Sequence, residues 1–146
     1  MTTEVKHATV ASLVGQWRLL SFDLETKDGG DRHPGFGSNP KGRLIVLPTS
    51  IMMAILTPSG RTMPKTSEER ALAFQTMVAY SGPFKVEGDQ LLTSVDITWN
   101  EAWGNTVQAR TIRLTEPHLN LTSAWAPHPA DPTQIVRGIL SWVREA

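Results

Sequence analysis

The sequence predicts an all-β fold: an eight-stranded up-and-down antiparallel barrel with one short helix between its third and fourth strands. Short segments of alternating apolar and polar residues recur at regular spacing with turn residues between them, which is typical of sandwiches and barrels. Up-and-down order favours the barrel, because closure removes both sheet edges. The first apolar run also opens with Gly15-x-Trp17, where a glycine permits close backbone approach and the indole lies across an enclosed space.

The predicted strands follow one another along the whole chain. They span Gly15–Leu24, Gly42–Leu47, Ile51–Leu56, Phe84–Val86 up to the turn at Gly88, Leu91–Trp99, Thr106–Leu114, Leu119–Trp125 and Ile135–Arg144. The third strand is apolar on both faces, which indicates that both faces are covered.

One helix is predicted in the connection after the third strand. Thr66 and Glu69 stand in capping-box spacing at its start. Apolar side chains then recur on one helical face, at Ala71, Phe74 and Val78. The predicted helix spans Ser67–Ala79.

Length and composition limit the classes of function that are open to this chain. A chain of 146 residues is one domain, 1–146, with residues 1–12 as an N-terminal leader. Lys+Arg and Asp+Glu balance at 14 each, so bulk charge does not favour a nucleic-acid partner. No apolar run reaches the roughly 20 residues of a membrane span, and no signal-peptide core is present. We therefore expect a cytoplasmic protein without a membrane partner, and leave a homo-oligomer open.

The sequence contains no motif for a cofactor or a metal. Cysteine is absent, and the four histidines show no ligand-like spacing. Phosphate-binding, dinucleotide-binding and nucleophile-elbow motifs are also absent. We expect no cofactor and no metal.

Several motifs together resemble the bacterial and fungal lipocalin-like domain family over nearly the whole chain. They are Gly15-Gln16-Trp17-Arg18-Leu19-Leu20-Ser21-Phe22, Pro40-x-Gly42-x-Leu44, Tyr80-x-Gly82-x-Phe84-x-Val86, Arg110, Leu119-x-Leu121 and Trp142-x-Arg144. The resemblance implies a small calycin-type barrel with a cavity for an apolar ligand, used for binding or for cofactor-free cyclisation or isomerisation. Many relatives carry histidines where this chain reads Thr93-Ser94-Val95-Asp96, so no role of those histidines is transferred.

The meander sorts residues between the two barrel ends. The long connections share one rim, which is the predicted mouth, and the helix is its predicted lid. The mouth gathers the aromatic and histidine candidates for ligand binding, namely His33, Tyr80, Trp99, Trp103, Trp125 and His128. The two histidines could equally be ordinary exposed loop residues. At the closed end, by analogy with lipocalins, Arg144 is expected to stack over Trp17.

Strand alternation supplies further ligand-binding candidates. Val95 and Ile97 share the inward parity of the fifth strand with Trp99, and Phe84 belongs to the strand before it. Met53 suits an adaptable pocket, although it could equally fill a core.

Three residues are candidates for catalysis: Asp23, Tyr80 and Arg110. Asp23 shares the parity of Trp17, which would turn it into the cavity as an acid or base. Arg110 shares the parity of Ile112 and would face a ligand carbonyl, enolate or carboxylate, but the opposite orientation is left open. Tyr80 is either a packing residue or a phenol that hydrogen-bonds the ligand.

The sequence favours an enzyme of natural-product metabolism, a cofactor-free cyclase or isomerase acting on a small, largely apolar polyketide- or terpenoid-like molecule. The alternative is a non-catalytic small-molecule binding or carrier protein. A third class, a protein-interaction module that uses the helix, would lack an internal cavity.

Overall fold

The computed structural model describes residues 8–128 and 131–145, and within them it contains eleven strands and two α-helices. The helices are α1 (Val10–Leu13) and α2 (Ser67–Gln75). The strands are β1 (Gly15–Thr26), β2 (Arg32–Pro34), β3 (Lys41–Val46), β4 (Ile51–Thr57), β5 (Val78–Glu87), β6 (Gln90–Ser94), β7 (Ile97–Thr98), β8 (Val107–Thr115), β9 (His118–Ser123), β10 (Ala126–Pro127) and β11 (Ile135–Glu145). A 3-10 helix, Glu101–Trp103, precedes β8. In the described part of the chain, neither helix has the length and apolar character needed to cross a bilayer.

The strands form a closed antiparallel barrel, which confirms the predicted fold class. The order of the main strands is β1-β3-β4-β5-β6-β8-β9-β11, and β11 pairs with β1 to complete the ring. The short strands β2 and β10 extend this ring on the strand ends Asp23–Glu25 and Ile135–Val136. Every second connection is long, so the long connections lie at one rim as expected.

The closed end is held by contacts between the two ends of the described chain. Trp17 is fully buried, and its Nε1 donates a hydrogen bond to the carbonyl oxygen of Leu13 at 3.0 Å. The guanidinium of Arg144 stacks over the Trp17 ring at 4.2 Å, which confirms the predicted cation–π contact. Gly15 has a φ of +139°, and a Cβ there would lie 2.8 Å from Nη1 of Arg144. The glycine is required both by its backbone conformation and by this close approach.

The predicted N-terminal leader is only partly described. Its residues 1–7 lie outside the described part of the chain. Thr9 caps helix α1, and Leu13, the last residue of that helix, is buried in the core. Helix α1, just before β1, therefore covers the closed end of the barrel.

A bulge in β1 reverses the orientation of its second half. The pairing with β11 shifts register between Leu19 and Ser21. Before the bulge, Trp17 and Leu19 are buried inside the barrel. After it, Phe22 takes the inward parity instead of Ser21. The prediction that Asp23 points into the barrel is therefore wrong, because one extra residue exchanges the two faces of a strand.

A second irregularity interrupts the predicted fifth strand. Pairing with β5 ends at Thr93 and resumes at Ile97, so the predicted strand Leu91–Trp99 is divided into β6 and β7. Ile97 is consequently 70% exposed, and its predicted inward orientation is wrong. Gly82 permits this arrangement, because a Cβ at that position would lie 1.9 Å from the carbonyl oxygen of Ser94.

Helix α2 begins as predicted but ends four residues earlier. The Thr66 hydroxyl accepts a hydrogen bond from the backbone N–H of Glu69 at 3.1 Å, which confirms the N-cap. The helix ends at Gln75, and the predicted helical residues Val78 and Ala79 belong to β5. Tyr80 is therefore a strand residue, paired with Ala54 of β4.

Candidate ligand-binding cavity

A cavity of about 300 Å³ lies inside the barrel. Its volume is at the lower end of the range for small-molecule sites. Most of its wall is apolar and comes from residues of six strands, Phe22, Leu24, Leu44, Met52, Ala54, Leu56, Val78, Leu121, Val136 and Leu140. Near the mouth, Ala126 and Pro127 of β10 complete the wall. The interior can therefore hold a small, largely apolar molecule.

A larger groove of about 480 Å³ lies elsewhere, in the gap where β3 separates from β1 beyond the Arg18–Arg43 pair. Charged residues form much of its lining, including Lys41 and Glu145. Arg18 and Glu145 already form an ion pair across it, at 3.6 Å. The interior cavity is the better candidate, because most of its wall is apolar and a ligand there is largely removed from water.

Arg110 brings a positive charge into this apolar cavity. It lies in β8 on the same face as buried Ile112, as predicted from parity. Its guanidinium donates hydrogen bonds to the carbonyl oxygen of Ala109 at 2.9 Å and to Oε1 of Gln108 at 3.3 Å. None of the ion pairs among the described residues involves Arg110. The guanidinium therefore faces the cavity without a carboxylate to balance its charge.

Tyr80 and Trp103 form an aromatic wall beside Arg110. Their ring centroids are 5.3 Å apart, and the guanidinium carbon of Arg110 lies 6.0 Å from the Trp103 ring. Tyr80 is only 8% exposed. Burial raises the pKa of the Tyr80 hydroxyl above its ordinary value, and the positive charge of Arg110 opposes that rise. The phenol is therefore neutral near pH 7 and can donate a hydrogen bond to a ligand.

The aromatic contacts continue outward from this wall to helix α2. Trp99 lies 5.1 Å from Trp103 and 6.2 Å from Phe74 of the helix, measured between ring centroids. Its Nε1 donates a hydrogen bond to the carbonyl oxygen of Phe74 at 3.0 Å. No residue of α2 lines the cavity, so the described helix does not act as the predicted lid. It instead supports the aromatic wall from outside.

The structure brings three predicted site residues to the cavity: Tyr80, Trp103 and Arg110. Asp23, the predicted acid or base, lies on the outer face of β1, paired with Ile139 and Pro34. Met53 is 53% exposed, because strand alternation turns Met52 inward and Met53 outward. Ile97 is on the outside for the reason given above.

The remaining candidates also lie away from the cavity lining. Phe84 and Val95 are buried in the core. Trp125 stacks on Arg137, with the guanidinium carbon 4.4 Å from the ring. His33 is exposed in the short strand β2, and the backbone N–H of His128 bonds the carbonyl oxygen of Gln134 at 2.9 Å.

Three residues of the lining that carry polar groups were not predicted, namely Ser123, Arg137 and Trp142; Arg137 forms an ion pair with Glu25 at 3.0 Å. Ser123 lies two residues beyond Leu121 on the same strand face, so parity was a usable signal for it. Trp142 appears in the sequence only as part of the Trp142-x-Arg144 motif, which does not mark it as a lining residue. Among residues 8–128 and 131–145, no group of three or more histidine, aspartate or glutamate side chains could hold a metal ion.

An eight-stranded antiparallel meander with an apolar interior cavity defines a small β-barrel of the kind that binds small molecules. The family model described as a lipocalin-like domain matches residues 14–145. The chain belongs to this lipocalin-like family, and the fold suggests small-molecule binding. The search of curated proteins returned no match to the sequence.

Proposed function

We propose that the barrel binds a small, largely apolar metabolite whose carbonyl, enolate or carboxylate group is held by Arg110. The observation that carries this proposal is the guanidinium of Arg110 in an apolar cavity lining, with no ion pair to any described carboxylate. A half-buried cation still needs acceptors where it faces the cavity, and its present partners are a backbone carbonyl and the Gln108 amide. A ligand oxygen would accept a further hydrogen bond from the Arg110 guanidinium.

The neighbours of Arg110 support the same ligand chemistry. The Tyr80 phenol supplies a second donor, and the Trp103 ring supplies a flat apolar surface. Apolar side chains form most of the remaining wall. The site therefore suits a molecule with one acceptor-rich end and an apolar body.

A binding experiment with two matched probes tests this proposal. Decanoate and decanol share one apolar chain and differ in their head group. We expect wild-type protein to bind decanoate more tightly, and Arg110→Met to lose about tenfold or more of that preference, as for a hydrogen bond to a charged group. The control is Arg113→Met, an exposed arginine on the other face of β8. Equal preference in wild type and Arg110→Met would contradict the proposal.

A second candidate function is cofactor-free cyclisation or isomerisation of a polyketide- or terpenoid-like molecule. The specific observation in its favour is the neutral, buried Tyr80 phenol beside the Arg110 guanidinium. Two fixed donors would polarise a substrate carbonyl, and the cavity wall would hold a flexible chain in a reactive conformation. Such a rearrangement adds and removes no atoms, so it requires no redox or group-transfer cofactor.

Binding and catalysis are distinguished by whether the protein changes its ligand chemically. Native mass spectrometry of protein from its own host would detect a retained ligand, and incubation would then show whether that ligand is altered. A binding protein returns it unchanged. An enzyme gives a product of the same mass with different retention, and we expect Tyr80→Phe and Arg110→Met to abolish its formation.

A further inference from the structure

The groove outside the barrel contains an excess of positive charge. Three cationic side chains line it, Arg18 of β1 and Lys41 and Arg43 of β3, together with one carboxylate, that of Glu145. The carboxylate forms its ion pair with Arg18, at 3.6 Å. Within residues 8–128 and 131–145, neither Lys41 nor Arg43 takes part in an ion pair. Two of the three positive charges are therefore unbalanced, on a chain whose formal net charge is zero.

Strand register holds these charges close together. Arg18 lies directly opposite Arg43 in the pairing of β1 with β3, which places their Cβ atoms about 5 Å apart. Lys41 lies two residues from Arg43 on the same face of β3, about 7 Å along the strand. Like charges directly opposite each other destabilise a sheet. The cluster therefore lowers the stability of the protein alone, and a bound anion would offset the repulsion.

The rest of the groove wall adds an apolar surface and a further donor. Ile55 of β4 pairs with Arg43 and is 48% exposed, so an apolar side chain lies beside the cations. Thr57 pairs with Lys41, and its hydroxyl can donate a hydrogen bond. The groove volume of about 480 Å³ lies within the range of small-molecule sites. The groove therefore has room for an anionic head group and for an apolar body next to it.

We propose that this groove binds a phosphate monoester with an apolar body, at a site separate from the barrel cavity and independent of the proposed function. A phosphate monoester carries about −1.5 to −2 charges at pH 7 and three strong acceptor oxygens. Its charge matches the two unbalanced cations, whereas a carboxylate would leave one of them unbalanced. The Arg43 guanidinium can bind two phosphate oxygens at once, and the Lys41 ammonium acts as a point charge.

Phenyl phosphate is a suitable probe, since it joins a phosphate monoester to a flat apolar ring. We expect it to shift the backbone amide resonances of Lys41 and Gly42 in the NMR spectrum, and titration of these resonances gives a Kd for the groove alone. Arg43→Gln should raise that Kd about tenfold, as for a lost hydrogen bond to a charged group. Arg113→Gln, the same change at an exposed arginine of β8, should leave it unchanged.

Inorganic phosphate tests the apolar body of the ligand, because it has a similar head group without the ring. We expect it to bind the groove more weakly than phenyl phosphate does. Ile55→Thr should bring the two Kd values closer together, since the exposed apolar surface beside the cations becomes smaller. Equal Kd values for the two probes in wild-type protein would overturn the apolar body.

Urea denaturation tests the repulsion between the cations. In buffer without phosphate, Arg43→Gln should have a higher urea midpoint than wild type, because the charge opposite Arg18 is removed. Phenyl phosphate should then raise the midpoint of wild type more than that of the variant. An equal rise in both proteins, or an equal Kd in both, would overturn the groove site. The decanoate titrations that test the barrel cavity would be unaffected by that result.

The same phosphate chemistry occurs in soluble metabolites and in one class of lipid headgroup, and vesicles distinguish these sources. Phosphatidic acid carries a phosphate monoester, and phosphatidylserine is an anionic lipid without one. Sedimentation with phosphatidic acid vesicles but not with phosphatidylserine vesicles, lost in Arg43→Gln and kept in Arg113→Gln, would identify a lipid ligand. Binding of phenyl phosphate without sedimentation on either vesicle would identify a soluble one. A groove that binds neither phenyl phosphate nor phosphatidic acid would overturn the inference.

Discussion

The rings of Tyr80 and Trp103 lie 5.3 Å apart in the cavity wall, although they come from a barrel strand and from a 3-10 helix in the next long connection. Trp103 is also in contact with Trp99 and faces the guanidinium of Arg110. Part of the cavity wall is therefore formed by a rim connection that reaches back into the barrel. Tyr80 and Arg110, the two proposed donors to a ligand, both lie beside this wall.

Trp103→Ala should weaken both binding and folding. The change removes ring contacts to Tyr80 and Trp99, so we expect a loss of about 2 kcal/mol in the free energy of unfolding, less than for a fully buried tryptophan. The decanoate Kd should rise about tenfold because one cavity wall is lost. Urea denaturation and probe titration measure the two effects. Phe74→Ala, on helix α2 outside the lining, removes a ring contact to Trp99 and should lower stability but leave the Kd unchanged.

The titration of Tyr80 should occur at unusually high pH. The chain has a single tyrosine, so tyrosinate absorbance reports this residue alone. Because burial raises the pKa of the Tyr80 hydroxyl in the folded protein, the native midpoint should lie above the unfolded value of about 10. The folded state therefore holds the phenol proton more tightly than the unfolded state does. The contribution of this shift to the free energy of unfolding is fully present below about pH 10 and is lost as the pH rises through the folded-state pKa.

Arg110→Met should raise the Tyr80 midpoint further. The positive charge of Arg110 favours the phenolate, and removing it leaves only the desolvation effect. Arg113→Met is the matched control, and its midpoint should equal that of wild type. A lower midpoint in Arg110→Met would contradict the electrostatic coupling of these two cavity residues.

Arg144→Ala should destabilise the closed end without affecting ligand binding. Arg144 donates hydrogen bonds to the carbonyl oxygens of Val14 and Ser12, each at 2.7 Å, and stacks on Trp17. We expect a loss of about 2–3 kcal/mol in the free energy of unfolding. Arg18→Ala, which removes an exposed ion pair with Glu145, should cost about 1 kcal/mol or less. Thermal or urea unfolding gives both values. Similar losses in the two variants would contradict the conclusion that Arg144 stabilises the closed end more than an exposed ion pair does.

Gly82→Ala should strongly lower the free energy of unfolding, although it adds only one methyl group. The new Cβ would lie 1.9 Å from the carbonyl oxygen of Ser94, so the β5 and β6 backbones would have to separate. We expect a loss of about 3 kcal/mol, at the upper end for overpacking. Gly104→Ala is the control, because its nearest contact is the Glu101 carbonyl oxygen at 3.3 Å. Urea denaturation of both variants and of wild type measures the two losses, and the Gly104→Ala loss should be the smaller.

Asp23→Asn should leave ligand binding unchanged. The sequence predicted the opposite, but the bulge in β1 places this side chain on the outer face, opposite Phe22 and Leu24 of the lining. Titration of the variant with decanoate should give the wild-type Kd. An altered Kd would mean that Asp23 reaches the ligand by a route that the strand orientation does not provide.

Strand parity predicted the orientation of side chains correctly in β8, where alternation continues without interruption. Arg110 and Ile112 share an inward face of β8, as parity indicated. Tyr80 and Trp103 reached the cavity as expected. Asp23 and Ile97 failed for one shared reason: each follows an irregularity in its strand, and a single extra residue reverses every side chain beyond it.

Met53 failed for a different reason. Met52 and Met53 are adjacent and chemically identical, and the strand around them is apolar on both faces, so the local pattern contains no parity signal. Only the pairing of β4 with its neighbours turns Met52 inward. Similarly, nothing local marks the buried indole N–H of Trp142 as a donor without a partner among the described residues, because that depends on the residues of other strands.

The sequence by itself determined the meander, its turns and the residues able to form a closed end, since alternation, capping and glycine placement act over a few neighbouring positions. The tertiary structure alone decided which alternating face is inside after each bulge and which donors remain without partners. Those properties depend on register between strands distant in the chain, and register is set when the ring closes rather than by any one strand.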